Sequence, residues 1–237
     1  MGVKFFVNER FFDTWSPKMA YILGYICADG SMERSHSIRG WYIRIGSTEK
    51  DRVMAIKKAM RSQHKINVRQ RPGHHKTYYL LRIGNKTLYT SLERYGIKPR
   101  KSLTIRCPQV PREYIGDFVR GYLDGDGCVH IEKGIGLKGQ KIIKRIAVIF
   151  TCGSKMFLED LNGMLQEIGL PKKEVYRNGR AYKLRYGSNN CVDMFALLYG
   201  SNIEPDLRMK RKYETFKKYF KMRPQRINDK IGAILEK

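Results

Sequence analysis

Acidic residues are scarce in this sequence of 237 residues. It has 22 Asp and Glu residues against 47 Lys and Arg residues, so the formal net charge at pH 7 is +25. A compact fold with such an excess of one sign repels itself, and a polyanionic partner relieves that repulsion. We therefore expect the protein to bind nucleic acid.

Long apolar runs and ordered cysteine patterns are also missing. The apolar runs reach about ten residues, whereas a helix that spans a membrane needs roughly twenty. The N-terminal residues lack the layout of a signal peptide. The five Cys residues form no C-x-x-C pair and show no metal-ligand spacing with the five His residues. These absences argue against membrane association, a disulfide framework and a zinc site, and we expect an intracellular protein in a reduced compartment.

Two nonapeptides are near copies of each other. Residues 22–30 read ILGYICADG and residues 119–127 read VRGYLDGDG. Each is predicted to be helical, and the first follows Ser16-Pro17, an N-cap residue with proline at the first helical position. A Gly inside a helix costs about 1 kcal/mol relative to Ala. Glycines at matched positions therefore predict a close approach of another backbone, and the simplest partner for each helix is the other helix.

Such a crossing would bring Asp29 and Asp126 together at one rim of the interface. Two neighbouring carboxylates repel unless a cation lies with them, and hard oxygen ligands suit Mg²⁺ or Ca²⁺. An Asp-Gly pair is also a common helix stop, which explains either copy alone as well as a functional role does. A helix stop alone is a poor explanation for two copies at the same position of the repeat. We therefore predict that Asp29 and Asp126 are metal ligands.

The repeat extends beyond the nonapeptides. After each one, alternating and helical patterns predict a hairpin, a helix, a second hairpin and another helix. The longer first hairpin of the second half contains Lys133–Lys141, and an insertion in a hairpin turn has a small entropic cost. We predict an α+β fold made of a pseudo-twofold pair of αββαββα repeats, with the first repeat at residues 1–105 and the second at 106–237.

The two nonapeptides resemble the LAGLIDADG motif of homing endonucleases, and two copies in one chain resemble the monomeric, two-motif branch of that family. Both internal glycines and both final Asp-Gly pairs match the motif. The resemblance implies two antiparallel sheets that form a DNA-binding saddle, with the motif helices packed at its centre. The sequence departs from the motif consensus at Ile22, Leu23, Tyr25, Cys27, Arg120 and Tyr122.

The resemblance also implies an activity, a cofactor and a ligand set. The activity is a Mg²⁺-dependent double-strand break in DNA by phosphodiester hydrolysis, with Ca²⁺ as a substitute that does not support cleavage. The backbone carbonyl groups of Ala28 and Gly125 would join Asp29 and Asp126 as metal ligands. Each aspartate would serve mainly one DNA strand.

Lys50 and Lys155 form a second matched pair, since each follows a strand and opens the next helix. The resemblance implies that a lysine here reaches the active site and either stabilises the charged transition state or organises the attacking water. A single Lys in so basic a chain is most often a surface residue, but the repeat favours a role for both. The predicted catalytic residues are therefore Asp29, Asp126, Lys50 and Lys155. Asp124, Glu33 and Glu132 lie nearby in sequence without matched partners, and we expect them to take no part in catalysis.

The strands are the predicted DNA-binding elements, because a two-stranded β-ribbon fits the major groove. Their alternation places basic and aromatic residues on the face opposite the core. The halves differ at most of these positions, so we expect a long, asymmetric target rather than a palindrome. The predicted DNA-binding residues are Tyr42, Arg44, Arg69, Arg71, Tyr78, Arg82, Lys141, Lys144, Arg177, Arg180, Lys183 and Arg185.

Three functions fit these features. The first is a monomeric, site-specific endonuclease that acts on double-stranded DNA. The second is an RNA-binding maturase of the same fold that acts on intron RNA, with or without cleavage, because basic and aromatic residues suit RNA equally well. The third is a DNA-binding protein on a degenerate scaffold, which we would expect to have lost the aspartates or the lysines.

Overall fold

The computed structural model describes residues 5–35, 40–70, 76–135, 141–200 and 205–236. Within them the order αββαββα occurs twice, as predicted. The first half contains α1 (Pro17–Asp29), β1 (Gly30–Ser35), β2 (Gly40–Ser47), α2 (Lys50–Ala59), β3 (Ile66–Arg69), β4 (Tyr78–Gly84) and α3 (Lys86–Arg94). The second half contains α4 (Ile115–Asp126), β5 (Gly127–Ile135), β6 (Lys141–Cys152), α5 (Lys155–Glu167), β7 (Val175–Asn178), β8 (Ala181–Tyr186) and α6 (Ser188–Tyr199), followed by α7 (Lys210–Met222) and α8 (Asp229–Leu235).

Helix α1 begins where the sequence predicts. The side chain of Ser16 accepts a hydrogen bond from the backbone N–H of Met19 at 3.2 Å, and Pro17 occupies the first helical position. Every residue from Met19 to Cys27 is buried, because the helix has no polar face to turn toward water. Despite this apolar character, none of the helices in the described residues is both long enough and apolar enough to cross a membrane.

Each half supplies one four-stranded antiparallel sheet. The strand orders are β1-β2-β4-β3 and β5-β6-β8-β7. In the first sheet Ile43 lies opposite Ile83, and both are fully buried. The next pair along the strands, Arg44 opposite Arg82, lies on the other face. Each sheet therefore has a core face and a solvent face, as the alternation predicts.

The backbones of α1 and α4 approach each other closely where the two helices cross. A Cβ atom on Gly24 would overlap the backbone carbonyl of Phe118, and one on Gly121 would overlap that of Tyr21. The close approach continues to the helix ends, where a Cβ atom on Gly125 would overlap the Cβ of Ala28. The glycines are therefore required because the two backbones touch.

We expect Gly24→Ala and Gly121→Ala to destabilise the protein by about 3 kcal/mol each, because the added methyl group meets rigid backbone rather than a flexible side chain. Gly163→Ala is the matched control, since Gly163 lies inside α5 with nothing within 4 Å of the added atom. That control should raise stability by up to about 1 kcal/mol through helix propensity. Urea unfolding of the three variants measures the difference, and wild-type stability in Gly121→Ala would contradict the contact.

Candidate active site and nucleic-acid interface

Asp29 and Asp126 are the last residues of α1 and α4, and solvent reaches both. The α1–α4 crossing brings these helix ends together. An added Cβ on Gly125 would lie 3.6 Å from the carboxyl carbon of Asp29. The carboxyl group of Asp29 therefore lies against the residue that precedes Asp126, as the predicted crossing requires.

The pKa values of both carboxyl groups are raised. The surrounding protein leaves both carboxylates less hydrated than in free solution. This loss of hydration is the main reason why the pKa of Asp29 rises to about 6, and the negative charge of Asp126 raises that pKa further. Loss of hydration also raises the pKa of Asp126, and two lysine charges oppose that rise. A carboxylate pair of this kind resists carrying two negative charges and favours a bound cation.

The donor set fits a divalent cation of the Mg²⁺ type. The described part of the chain contains no cluster of three or more His, Cys, Asp or Glu residues that could enclose a metal ion. Mg²⁺ is commonly held by one or two carboxylates, with water and substrate phosphate completing its octahedron. Asp29 and Asp126 meet that requirement with open access from solvent. The parts of Ala28 and Gly125 as carbonyl ligands stay predictions.

Two buried lysines, absent from the sequence prediction, lie beside the carboxylates. Lys101 Nζ donates hydrogen bonds to the carbonyl oxygens of Cys27 at 2.7 Å and Ala28 at 3.3 Å. Lys101 belongs to a 3₁₀ turn after α3 and is 6% exposed. It thus satisfies backbone carbonyl groups at the end of α1, which have no partners within the helix.

Lys212 does the same for the second motif helix. Its Nζ donates to the carbonyl oxygens of Gly127 at 2.7 Å, Asp124 at 3.2 Å and Leu123. Lys212 lies in the first turn of α7 and is only 1% exposed. Burial lowers the pKa of both lysines, and that of Lys212 falls to about 8. The site therefore combines two carboxylates with two buried, tightly held amino groups.

The lysines held against the ends of the motif helices are Lys101 and Lys212, rather than the predicted Lys50 and Lys155. Lys50 is exposed at the start of α2, and Lys155 forms an exposed ion pair with Glu159 at 3.0 Å. The lysine charges that act on Asp29 and Asp126 are those of Lys101 and Lys212. Both pairs repeat between the halves, but only Lys101 and Lys212 have side chains held against the motif helices. The repeated dipeptides Arg100-Lys101 and Arg211-Lys212 were the signal that could have identified them.

The three other acidic residues near the motifs have structural roles. Asp124 is 1% exposed, and its Oδ2 accepts hydrogen bonds from the Tyr21 hydroxyl and the Met209 backbone N–H, both at 2.8 Å. Glu33 and Glu132 instead form ion pairs with arginines on the strands. Glu33 contacts Arg44 and Arg82, and Glu132 contacts Arg145 and Arg185.

The strand register tests the predicted DNA-binding face. In the first sheet Tyr42, Arg44, Arg69, Tyr78 and Arg82 all lie on the face opposite the buried Ile43 and Ile83. The guanidinium of Arg82 stacks over the Tyr42 ring at 3.4 Å. In the second sheet Lys183 and Arg185 alternate with the buried Leu184 and Tyr186. We call these seven residues the basic strand face, and they occupy the solvent side as predicted.

The remaining predicted DNA-binding residues differ. Arg177 lies opposite Tyr182, which shares the core side of β8 with Leu184, so Arg177 is on the face opposite the basic strand face. Arg180 lies in the turn between β7 and β8. Arg71 lies outside the described residues, as do the side chains of Lys141 and Lys144, although both of these belong to β6.

Solved structures share this fold. The LAGLIDADG homing endonuclease I-LtrWI bound to target DNA is 15% identical, with a TM-score of 0.58 and coverage of 97% of each chain. I-DmoI in complex with DNA and Mn is 16% identical, with a TM-score of 0.53 and coverage of 79% of this chain and 98% of the other. At these identities the likeness shows a common fold.

Sequence comparison finds relatives and a family. A probable translation initiation factor IF-2 of Thermococcus kodakarensis is 32% identical over 109 residues, which is 44% of this chain. This chain spans only 8–15% of the length of the curated relatives that it matches. A family model described as a LAGLIDADG-like domain matches residues 16–96 and again residues 113–199. The two matches together cover most of the chain, and the protein therefore belongs to the LAGLIDADG family and carries two copies of its domain.

Proposed function

We propose that the protein is a site-specific DNA endonuclease that uses a divalent cation to hydrolyse one phosphodiester bond in each strand of a long, asymmetric duplex. The observation that carries this proposal is the meeting of Asp29 and Asp126 at the end of the α1–α4 crossing. In-line hydrolysis needs a positioned water, stabilisation of the charge on the phosphate and assistance for the leaving oxygen. A Mg²⁺ ion held by these carboxylates would supply Lewis-acid stabilisation and lower the pKa of a bound water.

The buried lysines complete the proposed site. Each amino group is held by backbone carbonyl groups at the end of a motif helix, so it is positioned before substrate arrives. A preorganised positive charge in a dry environment stabilises a developing negative charge more effectively than a mobile one in water.

Divalent metal use and DNA binding are supported by the relatives. I-DmoI has been solved in complex with DNA and Mn and in complex with DNA and Ca. Cleavage with Mg²⁺ and binding without cleavage in Ca²⁺ are proposals for this chain. A single chain carries both aspartates, so we propose that it acts as a monomer, and that the basic strand face contacts the DNA.

We expect Asp29→Asn or Asp126→Asn to lower double-strand cleavage by about 100-fold or more, the scale on which removal of one charge-stabilising group acts. DNA binding in Ca²⁺ should persist. A randomised duplex library incubated with the wild type and Mg²⁺ first yields the target, which is then used to assay the variants. Asp13→Asn, which removes an exposed carboxylate paired with Arg94, is the control. Undiminished cleavage by both aspartate variants would remove the catalytic assignment.

Lys101→Met and Lys212→Met should each slow cleavage by about 100-fold, because methionine keeps the apolar stem but removes the buried charge. Lys50→Met and Lys155→Met are matched controls that each remove one exposed charge at the start of a helix. Their cleavage rates should stay within about twofold of the wild type. Single-turnover rates at saturating protein distinguish the two sets, and a larger loss in the controls would restore the original assignment.

The basic strand face predicts which arginines and lysines set the salt dependence. Lys183→Gln should weaken DNA binding in Ca²⁺ and reduce the slope of log K against log salt by about one, as expected when one phosphate contact is lost. Arg177→Gln is the control, since it removes a charge from the opposite face of the same sheet. Titrations at several salt concentrations measure both slopes. Equal changes in the two variants would contradict the face assignment.

A further inference from the structure

The segment at residues 206–209, which leads into Lys212, is held by a buried arginine from the other half of the chain. Arg52 belongs to α2 and is 5% exposed. Its Nη1 donates to the carbonyl oxygen of Asp206 at 2.7 Å, and its Nη2 donates to that of Arg208. The planar guanidinium thus binds two alternate carbonyl groups of one short segment at once.

Helix α4 holds the same segment from its other side. Arg120 Nε donates to the carbonyl oxygen of Leu207 at 3.1 Å. The carboxylate of Asp124 accepts the backbone N–H of Met209, the residue that immediately precedes α7, at 2.8 Å. The backbone is therefore fixed at four consecutive residues, 206 to 209, immediately before the first turn of α7 carries Lys212 to the end of α4.

The segment around Lys101 is held differently. The carbonyl of Ser102 packs against Gly153, where an added Cβ would lie 2.5 Å from the oxygen. The third residue of α5 is Phe157, in the place that Arg52 occupies in α2, and it stacks on Tyr122 with ring centroids 4.5 Å apart. Arg52, which reaches across from the first repeat, therefore holds the segment of only one of the two buried lysines, Lys212.

We propose that Arg52 is a positioning residue for Lys212, and that it sets the rate at which only one of the two DNA strands is cleaved. The strand-selective part of this inference rests on the proposed function. Arg52 is buried, so it acts through the 206–209 segment rather than by touching DNA. Loss of its two hydrogen bonds removes two of the four contacts that fix the 206–209 backbone ahead of Lys212, and a misplacement of about 1 Å can cost about 100-fold in rate.

The first experiment measures the two strands separately. Full-length Arg52→Met and Arg52→Lys are bound to a duplex labelled differently on each strand in Ca²⁺, and cleavage is started with excess Mg²⁺. Because only folded protein enters these complexes, the rates report on native molecules. We expect one strand to slow at least tenfold relative to the other, so that nicked DNA accumulates. Equal slowing of both strands, or no slowing, would overturn the proposal.

Lys58→Met is the matched control. Lys58 lies on the same helix as Arg52 and reaches the same residue, since its Nζ pairs with the Asp206 carboxylate at 3.1 Å. Its side chain is 80% exposed, and an exposed pair of this kind contributes little to order. We expect an unchanged strand ratio. If Arg52→Met binds no DNA, Arg52→Lys decides, because it keeps the charge but cannot reach both carbonyl groups.

A second readout does not depend on cleavage. Limited acylation of the free protein, quantified by mass spectrometry at Lys212 and Lys101, reports how firmly each buried amino group is held. Arg52→Met should raise the acylation rate of Lys212 at least threefold and leave that of Lys101 unchanged. Equal rises at both lysines would indicate general loosening and overturn the positioning role. If the labelling is as expected but the wild type cuts no DNA, the positioning role of Arg52 toward Lys212 stands, and the proposed endonuclease activity is rejected.

Discussion

The contact between the backbones of α1 and α4 is the constraint on which the rest of the molecule depends. Because Gly24 and Gly121 have no side chains, a backbone carbonyl oxygen of the opposite helix occupies the space that a Cβ atom would fill at each of them. Each helix runs directly into the first strand of its own sheet, at Gly30 and Gly127. The crossing therefore fixes where both helices end and where both sheets begin.

This crossing concentrates negative charge at the centre of a strongly basic protein. The C-terminal end of each helix carries a partial negative charge from its unpaired carbonyl groups, and Asp29 and Asp126 add their carboxylates there. Lys101 and Lys212 offset part of this charge by binding the carbonyl groups. The carboxylates themselves remain open to solvent. Their negative charge could be neutralised by a cation that also binds a phosphate diester.

The features that the sequence predicted correctly are those with a local pattern. Matched glycines and Asp-Gly pairs predicted the helix crossing, and period-two alternation predicted the solvent side for Arg44, Arg82 and Arg185. The buried lysines were missed because a Lys in so basic a chain is ordinarily a surface residue, and their role comes from contacts with carbonyl groups distant in sequence. The face that Arg177 occupies was not predicted, because it depends on where the turn lies: β7 and β8 are joined by Gly179 and Arg180, with Asn178 opposite Ala181, and Gly179 has a positive φ of 62°.

Each segment that supplies a buried lysine rests on the opposite half of the chain. Ser102 lies on Gly153, and Asp206 is bound by Arg52. A lone repeat would lack the surface that shapes its own lysine-bearing segment. If the chain arose by duplication of a shorter gene, its single-repeat ancestor would have needed a second copy of itself as a scaffold. In such a dimer, the lysine-bearing segment of each subunit would have packed against the other subunit across a symmetric interface.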